Sequence, residues 1–565
     1  MATNILSIGQ SALAAAQVGL STTGHNIANA ATPGFSRQVV VQGAAQPQSY
    51  GFGFMGQGTE VSTIKRVYSE FLGSQVRTAQ TTQSGLDSYY AQIKQIDNML
   101  ADPASGLSPA LQTFFSGIQE LSSNPSSIPA RQAALSSAES LASRFQSMAG
   151  RLDEMAQGVN SQITASVDVI NSYAQQIAQL NDAIGRAQGA TGQPANDLLD
   201  QRDQLVLDLN KEIKATVVKQ GDGDYNVFIG NGQPLVVGVT ASRLTTMASP
   251  TDPEKIRVAY QTTGGSVMVG ESSLGGGKLG GVLEFRSRTL EPAQADLDNL
   301  AIGLAATFNA QHRLGRDLNG TPGGDFFVVP SAQAGASGFA VAITDPKLIA
   351  AAAPIRTAIT TGNTGSATIS AGAIDAGYLA APLGAPLTLT YSAGTNELSG
   401  FPATEAVTVT SGGIATVFAA GTPVTYTAGA SVSFGGISFT LSGTPGDGDS
   451  FAVGPNTGGV GDNRNALLLG ALQTANTMNG GSSTYQGAYS QIVSQIGNKT
   501  RELEVTSSAA GRLLSEANLS LQTESGVNLD EEATNLLRYQ QAYQAAGKVM
   551  QIASEMFDVL LSIGR

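Results

Sequence analysis

Apolar residues recur at every seventh position at both ends of the chain. Leu6, Leu13, Leu20 and Ile27 are seven apart, with Ala12, Ala15 and Ala16 between them. Sevenfold spacing keeps one helix stripe facing a partner helix. Near the C-terminus Leu529, Leu536, Tyr543, Met550 and Phe557 repeat the device, and Tyr539, Ala546, Ala553 and Leu560 fill the alternate positions. This reads as an a/d seam over four heptads. The plainer alternative is an amphipathic helix resting on its own domain core.

Between the seams the period changes several times. Thr32 to Thr63 is broken by Pro, Gly and Gln, and helical spacing resumes at Leu86, Tyr90, Ile93, Ile96 and Leu100. Breaks at Asp102–Pro109 and Asn124–Pro129 precede a long stripe through Leu141, Phe145, Leu152, Val159, Ile163, Val167, Ile170, Ile177 and Ile184. One helix from Arg131 to Ile184 would be roughly 80 Å long, the length of a rod-like bundle element. A second helix spans about Asn196 to Lys211. From Ala215 the period becomes two, with Ile256, Val258 and Tyr260 alternating with Lys255, Arg257 and Ala259. Helix returns over Leu279–Leu314. Strand pairs follow at Val407/Val409, Val424/Tyr426, Val432/Phe434 and Ile437/Phe439, and from Gly461 the chain reads as helical to Arg565.

The pattern predicts an elongated α+β multidomain protein with helical coiled-coil termini and a long helical bundle carrying inserted antiparallel β domains. The expected divisions are 1–60 with 525–565 as a terminal helical domain, and 61–214, 279–316 and 461–524 as the bundle. Residues 215–278 with 317–356 form a β domain, and 357–460 a variable outer β domain.

Composition narrows the functions open to such a chain. Of 565 residues, 13% are charged and the net charge is −13, which disfavours nucleic-acid phosphates and anionic lipid surfaces. There are no cysteines, so disulfides, thiolate metal sites and cysteine nucleophiles are excluded. No apolar run reaches the length of a membrane-spanning helix. Met1–Gln10 lacks the basic and apolar regions of a cleaved signal peptide.

Candidate chemistry is sparse. Gly51 to Gly56 spells G-x-G-x-x-G, but Gln57–Val61 starts no helix of the kind a dinucleotide site needs, so a turn or hairpin is favoured. His25 and His312 are the only histidines, and each reads as a packing or capping residue. Asp200, Arg202 and Asp203 share one helix and read as a structural ion-pair network. Asp222, Asp224, Asp447 and Asp449 lie in G-D-G-D turns too poor in oxygen ligands for a calcium loop. Neither a catalytic residue nor a cofactor or metal site is expected.

One segment is recognisable. Ser21–Gln38 reads S-T-T-G-H-N-I-A-N-A-A-T-P-G-F-S-R-Q and resembles the N-terminal signature of flagellar rod, hook and hook-associated axial proteins. Asn26, Ile27, Ala28, Asn29, Thr32, Pro33, Gly34 and Phe35 supply every matched position. Such a run should end a helix, with asparagines tolerating left-handed backbone and Pro33–Gly34 forcing a turn. Asn196–Leu205, Leu279–Arg286, His312–Gly320, Gly461–Leu467 and Ser525–Tyr543 resemble the first hook-associated members of that family, and Ser442–Phe451 is similar to their β domains.

The resemblance implies a structural protein, not an enzyme. It would be exported without signal-peptide cleavage by the flagellar type III apparatus and secreted to the bacterial flagellum. It would join hook to filament through assembly seams at Leu6, Leu13, Leu20, Ile27, Leu536, Tyr543, Met550 and Phe557. The implied partners are further copies of itself, the hook protein, a second junction protein adjoining the filament, and an export chaperone at the C-terminus. Neither nucleic acid nor membrane insertion is implied. An isolated heptad helix is marginal in water, so both ends are expected to be disordered in the free monomer. Alternatives are a hook or distal-rod protein, or a surface adhesin acting through the outer β domain.

Overall fold

A computed structural model of the chain describes residues 2–49, 51, 53–102, 106–221 and 223–563. Ten α-helices lie among them. They are α1 (Ala2–Asn29), α2 (Glu70–Leu100), α3 (Leu107–Ser123), α4 (Ile128–Thr191), α5 (Asn196–Glu212), α6 (Gly277–Phe285), α7 (Glu291–Arg313), α8 (Arg464–Ala471), α9 (Tyr485–Ser525) and α10 (Leu529–Ile563). The long apolar stripe does form one helix. At 64 residues α4 runs for about 96 Å, opening beside the Ser127 hydroxyl and closing at Gly192, whose φ is +64°.

The chain forms two compact units. The first comprises Met1–Gln95, Met155–Leu290 and Asn498–Arg565, the second Ile96–Glu154 and Glu291–Gly497.

In the first unit, Val159, Ile163, Val167, Ile170, Ala174 and Ile177 of α4 are all buried. In α2 the buried ring is Tyr89 and not Tyr90, with its hydroxyl 2.8 Å from Thr289 Oγ1. Segment Leu279–Arg286 owes its glycines to backbone contact, since a Cβ at Gly281 would strike the Gly85 carbonyl of α2. Arg286 opens a π-helical turn, Arg286–Leu290, and donates to the Ile256 carbonyl and to Glu271. On α9, buried Thr500, Leu503, Ser507, Ala510 and Ala517 mark a further heptad stripe that the leucine pattern does not disclose. Residues 215–241 fold as a four-stranded antiparallel sheet and 243–268 as a three-stranded one. In the latter Ala259 is buried beside Val258, so the alternation read there is imperfect.

The second unit is organised by aromatics and by a β-sandwich. Phe308 stands 5.3 Å from Phe114 and 5.0 Å from Phe326, and Phe327 lies 4.8 Å from Phe339, ring centre to ring centre. A five-stranded and a six-stranded antiparallel sheet enclose Leu389, Val407, Phe434, Ile437, Phe439 and Phe451. The strand pairs read from alternation bury Val407, Val409, Val424, Val432, Phe434, Ile437 and Phe439, as expected. Asp462 and Arg464 close the sandwich: the guanidinium bridges Asp462 at 2.7 Å and the Ile355 carbonyl at 2.5 Å. That arrangement explains the G-D-N-R-N run at Gly461. The chain is not helical throughout from there, however. Between α8 and α9 Asn479 turns back at φ +52°, followed by Gly480 and Gly481, also at positive φ.

Candidate assembly interface at the paired chain ends

Helix α1 carries no charged Asp, Glu, Lys or Arg across its 28 residues. It packs along α10, and the two run antiparallel. The contact face of α1 is made of small residues. A Cβ at Gly9 would stand 2.9 Å from Met550 Sδ, and one at Gly19 would stand 2.5 Å from the Tyr539 ring. Ala15, Ala16, Ala546 and Ala553 are buried. Backbones approach closely because no side chain intervenes, and the larger Tyr539 and Met550 fill the glycine gaps. Beside this face Ile8, Ser11 and Val18 turn toward the hairpin of Gln38–Ala44 with Thr59–Arg66.

The expected seam residues fall into two groups. Leu6, Leu13, Leu20 and Ile27 are half-buried along the flank of the pair rather than at its centre. Leu536 and Met550 are half-buried, while Tyr543 and Phe557 are each 40% exposed. Leu560 lies outside the described side chains. A second apolar stripe on α10, formed by Val549, Ile552, Met556 and Val559, faces solvent.

The N-terminal motif works differently from the expectation. Asn26 and Asn29 are helical and do not adopt left-handed backbone, which falls to Gly34 at φ +79°. The asparagines act through their amides. Asn26, only 1% exposed, accepts from the Gln38 N–H at 2.9 Å and donates to the Gln38 carbonyl at 2.9 Å and to Glu532 at 3.1 Å. Asn29 donates back to the His25 carbonyl at 3.0 Å and accepts from Thr32 Oγ1 at 3.2 Å. Ala28, Pro33 and Gly34 are exposed, and Phe35 meets His25 edge to face at 5.4 Å.

Glu532, 2% exposed, is the buried acid of this site, and the heptad reading passed over it. Its carboxylate takes Arg37 Nε at 2.8 Å, while Arg37 Nη2 reaches Glu531 at 2.7 Å. Burial alone would lower the Arg37 pKa, but the two glutamates outweigh it and hold the guanidinium above its ordinary value. Asn528 caps α10 by accepting from Asp530 N–H at 3.0 Å, and the acids of the first turn suit the positive helix end. Arg37, two positions past the motif's Phe35, and three consecutive acids opening α10 were the available sequence signals.

A second knot ties the motif to α5. Ser36 N–H donates to Asp200 at 2.9 Å, and Gln38 Nε2 donates to Asp197 at 2.7 Å. The cation serving Asp200 and Asp203 is Arg66 from Thr59–Arg66, at 2.7 and 2.6 Å. It is not Arg202, which the helix turns away by two residues from Asp200. Arg202 instead donates to Asn181 and stacks its guanidinium 3.5 Å from the Tyr225 ring centre. Burial raises the Asp200 pKa and lowers that of Arg202.

The remaining candidates are structural. Gly51 and Gly53 lie at the turn of the Gln48–Ser49 and Phe54–Met55 hairpin; Phe52 lies outside the described residues. Asp449 accepts three backbone N–H groups, from Thr364, Gly365 and Gly446, which hold its pKa below the ordinary carboxylate range against the effect of burial. Asp447 accepts from the Ala393 N–H, and Asp222 is outside the described residues. His312 is buried with both ring nitrogens engaged, Nδ1 on the Gly324 carbonyl and Nε2 on the Ala350 N–H. Among the described residues no group of three His, Asp or Glu side chains is placed to hold a metal ion, and no helix is long and apolar enough to cross a membrane. Grooves of about 750 and 680 Å³ flank the loop at Pro33.

The paired ends match families shared among flagellar axial components. Residues 6–35 match the flagella basal body rod protein family, and 522–563 match the C-terminal region of flagellar basal body rod FlgEFG proteins. Between them, 93–327 match the flagellar hook-associated protein FlgK helical domain and 354–455 the D3 domain of flagellar hook-associated protein 1. Flagellar hook-associated protein 1 of Escherichia coli (strain K12) is 35% identical over 585 aligned residues, spanning 99% of this chain and 100% of the relative. This chain belongs to the flagellar hook-associated protein 1 family. The Bacillus subtilis (strain 168) member is 24% identical over 99% of this chain. The flagellar hook junction protein FlgK of Burkholderia pseudomallei superimposes with a TM-score of 0.75 at 34% identity, covering 80% of this chain and 100% of that one. Members of the flagellar hook-associated protein 1 family are structural flagellar components, and the α+β multidomain fold is theirs.

Proposed function

We propose that this protein joins the flagellar hook to the filament, assembling through α1 and α10. The observation that carries the reading is the apolar surface left uncovered after those helices have paired. Val549, Ile552, Met556 and Val559 are each at least 39% exposed, on a helix whose partner α1 has no charged residues. Contiguous apolar surface of this kind marks a site of association. Neighbouring copies would cover it, with the hook protein on one side and a second junction protein toward the filament on the other. Export without a cleaved signal peptide, escorted by a chaperone at α10, would deliver the chain to that position.

Electron microscopy of cells lacking the protein tests the role: hooks without filaments and flagellin lost to the medium are expected, and normal filaments would overturn it. A variant tests the surface. Ile552→Asp places a charge in that exposed stripe and should abolish incorporation into flagella while both units stay folded, as read by circular dichroism and immunoblotting of sheared flagella.

A further inference from the structure

The seam between α1 and α10 is poor in side chains that could distinguish one register from another. Its α1 face is built from glycine, alanine and threonine, and because small residues recur at heptad spacing, only the glycine gaps at Gly9 and Gly19 resist a slide of seven residues by packing. Three contacts nevertheless define one alignment. Gly9 lies against Met550 and Gly19 against Tyr539, and Asn26 is hydrogen-bonded to Glu532 across 506 positions of chain. Moving seven residues forward on α1, from Gly19 to Asn26, moves seven back on α10, from Tyr539 to Glu532. The same alignment sets Ala12 opposite Ala546.

Of these contacts only Asn26–Glu532 is polar and buried. Glu532 is also the one carboxylate that Arg37 and Asn26 both grip. The grip is fixed in turn, because Asn26 pairs doubly with the Gln38 backbone and the Arg37 N–H donates to the Ser525 carbonyl at 2.8 Å, just ahead of α10. A slide of one heptad would withdraw Glu532 from both donors and bring against Asn26 either the Tyr539 ring or Ser525, which lies ahead of α10. A buried polar contact at one layer of an otherwise permissive coiled coil is an established means of choosing register. We infer that Glu532 is the register-determining residue for the pairing of the two chain ends, with Asn26 and Arg37 as its positioning partners. It selects the alignment in which Tyr539 and Met550 find their glycines. The inference rests on the reading that α1 and α10 work as a pair in the assembled protein. It does not depend on which structures that protein joins.

The cysteine-free chain permits a direct test. Full-length protein carrying Ala12→Cys with Ala546→Cys reports the native alignment, and Ala12→Cys with Ala553→Cys reports a slide of one heptad. Each pair is made with Glu532 retained and with Glu532→Met, a side chain of similar length that keeps the seam apolar and leaves Arg37 its bond to Glu531. Flagella are isolated, oxidised and scored for the intramolecular disulfide. With Glu532 present the native pair should cross-link at least tenfold more than the shifted pair. With Glu532→Met the chain should still enter flagella, and the ratio should fall below threefold. A ratio that stays tenfold in the methionine variant overturns the inference, as does a ratio near one with Glu532 present. Loss of incorporation in the methionine variant alone also overturns it, by showing that Glu532 provides cohesion and not register. Failure of the junction role would appear separately, as normal filaments in cells lacking the protein.

Discussion

The β-sandwich of 355–455 and the α1–α10 pair solve the same problem with opposite materials. The sandwich encloses large side chains, Phe434, Phe439, Phe451, Tyr378 and Leu389 among them, each at most 4% exposed. The pair buries Gly9, Gly19, Ala16, Ala546 and Ala553, and leaves Val549, Ile552 and Met556 outside. Burial stabilises by roughly 25 cal/mol per Å² of apolar surface, so phenylalanine layers make the sandwich self-sufficient. Alanine and glycine remove little surface each, and the pair relies on close backbone approach, on the Asn26–Glu532–Arg37 contacts, and on whatever covers its outer stripe. A region rich in heptads is thus the less self-contained of the two.

The contrast can be broken most strongly at Phe451, which is fully buried. Phe451→Ala should destabilise the sandwich by about 3–5 kcal/mol in urea unfolding, with hydrogen exchange of α1 and α10 unchanged; equal loss at the ends would erase the distinction. Acid supplies the next effect, again in the second unit. Burial lowers the His312 pKa to about 4, and its Nε2 must stay unprotonated to accept the Ala350 N–H. The unfolded chain takes up this proton below about pH 6.5 while the folded one resists until about pH 4. The contribution of neutral His312 is therefore fully present above pH 6.5. It is lost as pH falls toward 4, by about 3 kcal/mol, and His312→Gln should flatten that slope in denaturant titrations across pH. The smallest effect belongs to the pair. Gly19→Ala drives a methyl into the Tyr539 ring and should cost about 1–3 kcal/mol of α1–α10 stability, despite the better helix propensity of alanine. Thermal melts and incorporation into flagella measure it, and a neutral result would show that the glycine gap is not needed.

Much of this architecture was legible because its signals are local. The stripe from Leu141 to Ile184 marked a helix of unusual length, and alternation at Val407/Val409 or Ile437/Phe439 marked strands whose inner faces are indeed buried. The N-I-A-N-x-x-T-P-G-F run identified the axial family. What the chain did not disclose lies in pairings across long separations. Asp200 and Asp203 shared a helix with Arg202, yet their cation is Arg66, from more than 130 positions away. Asn26 looked like a turn former and is a buried amide gripping Glu532.

Periodicity by itself determined the long helices, the paired strands of the outer β domain, and that both ends carry apolar stripes, because each of these follows from the spacing of neighbours along one backbone. Only the tertiary structure decided that small residues, and not the leucines, form the centre of the α1–α10 contact. The reason is geometric: which face of a helix is buried depends on how closely another backbone can approach, and that approach is greatest where Gly9 and Gly19 offer no side chain. The burial of Glu532 follows from the same meeting of distant segments, since a carboxylate can leave water only where donors from elsewhere in the chain replace it.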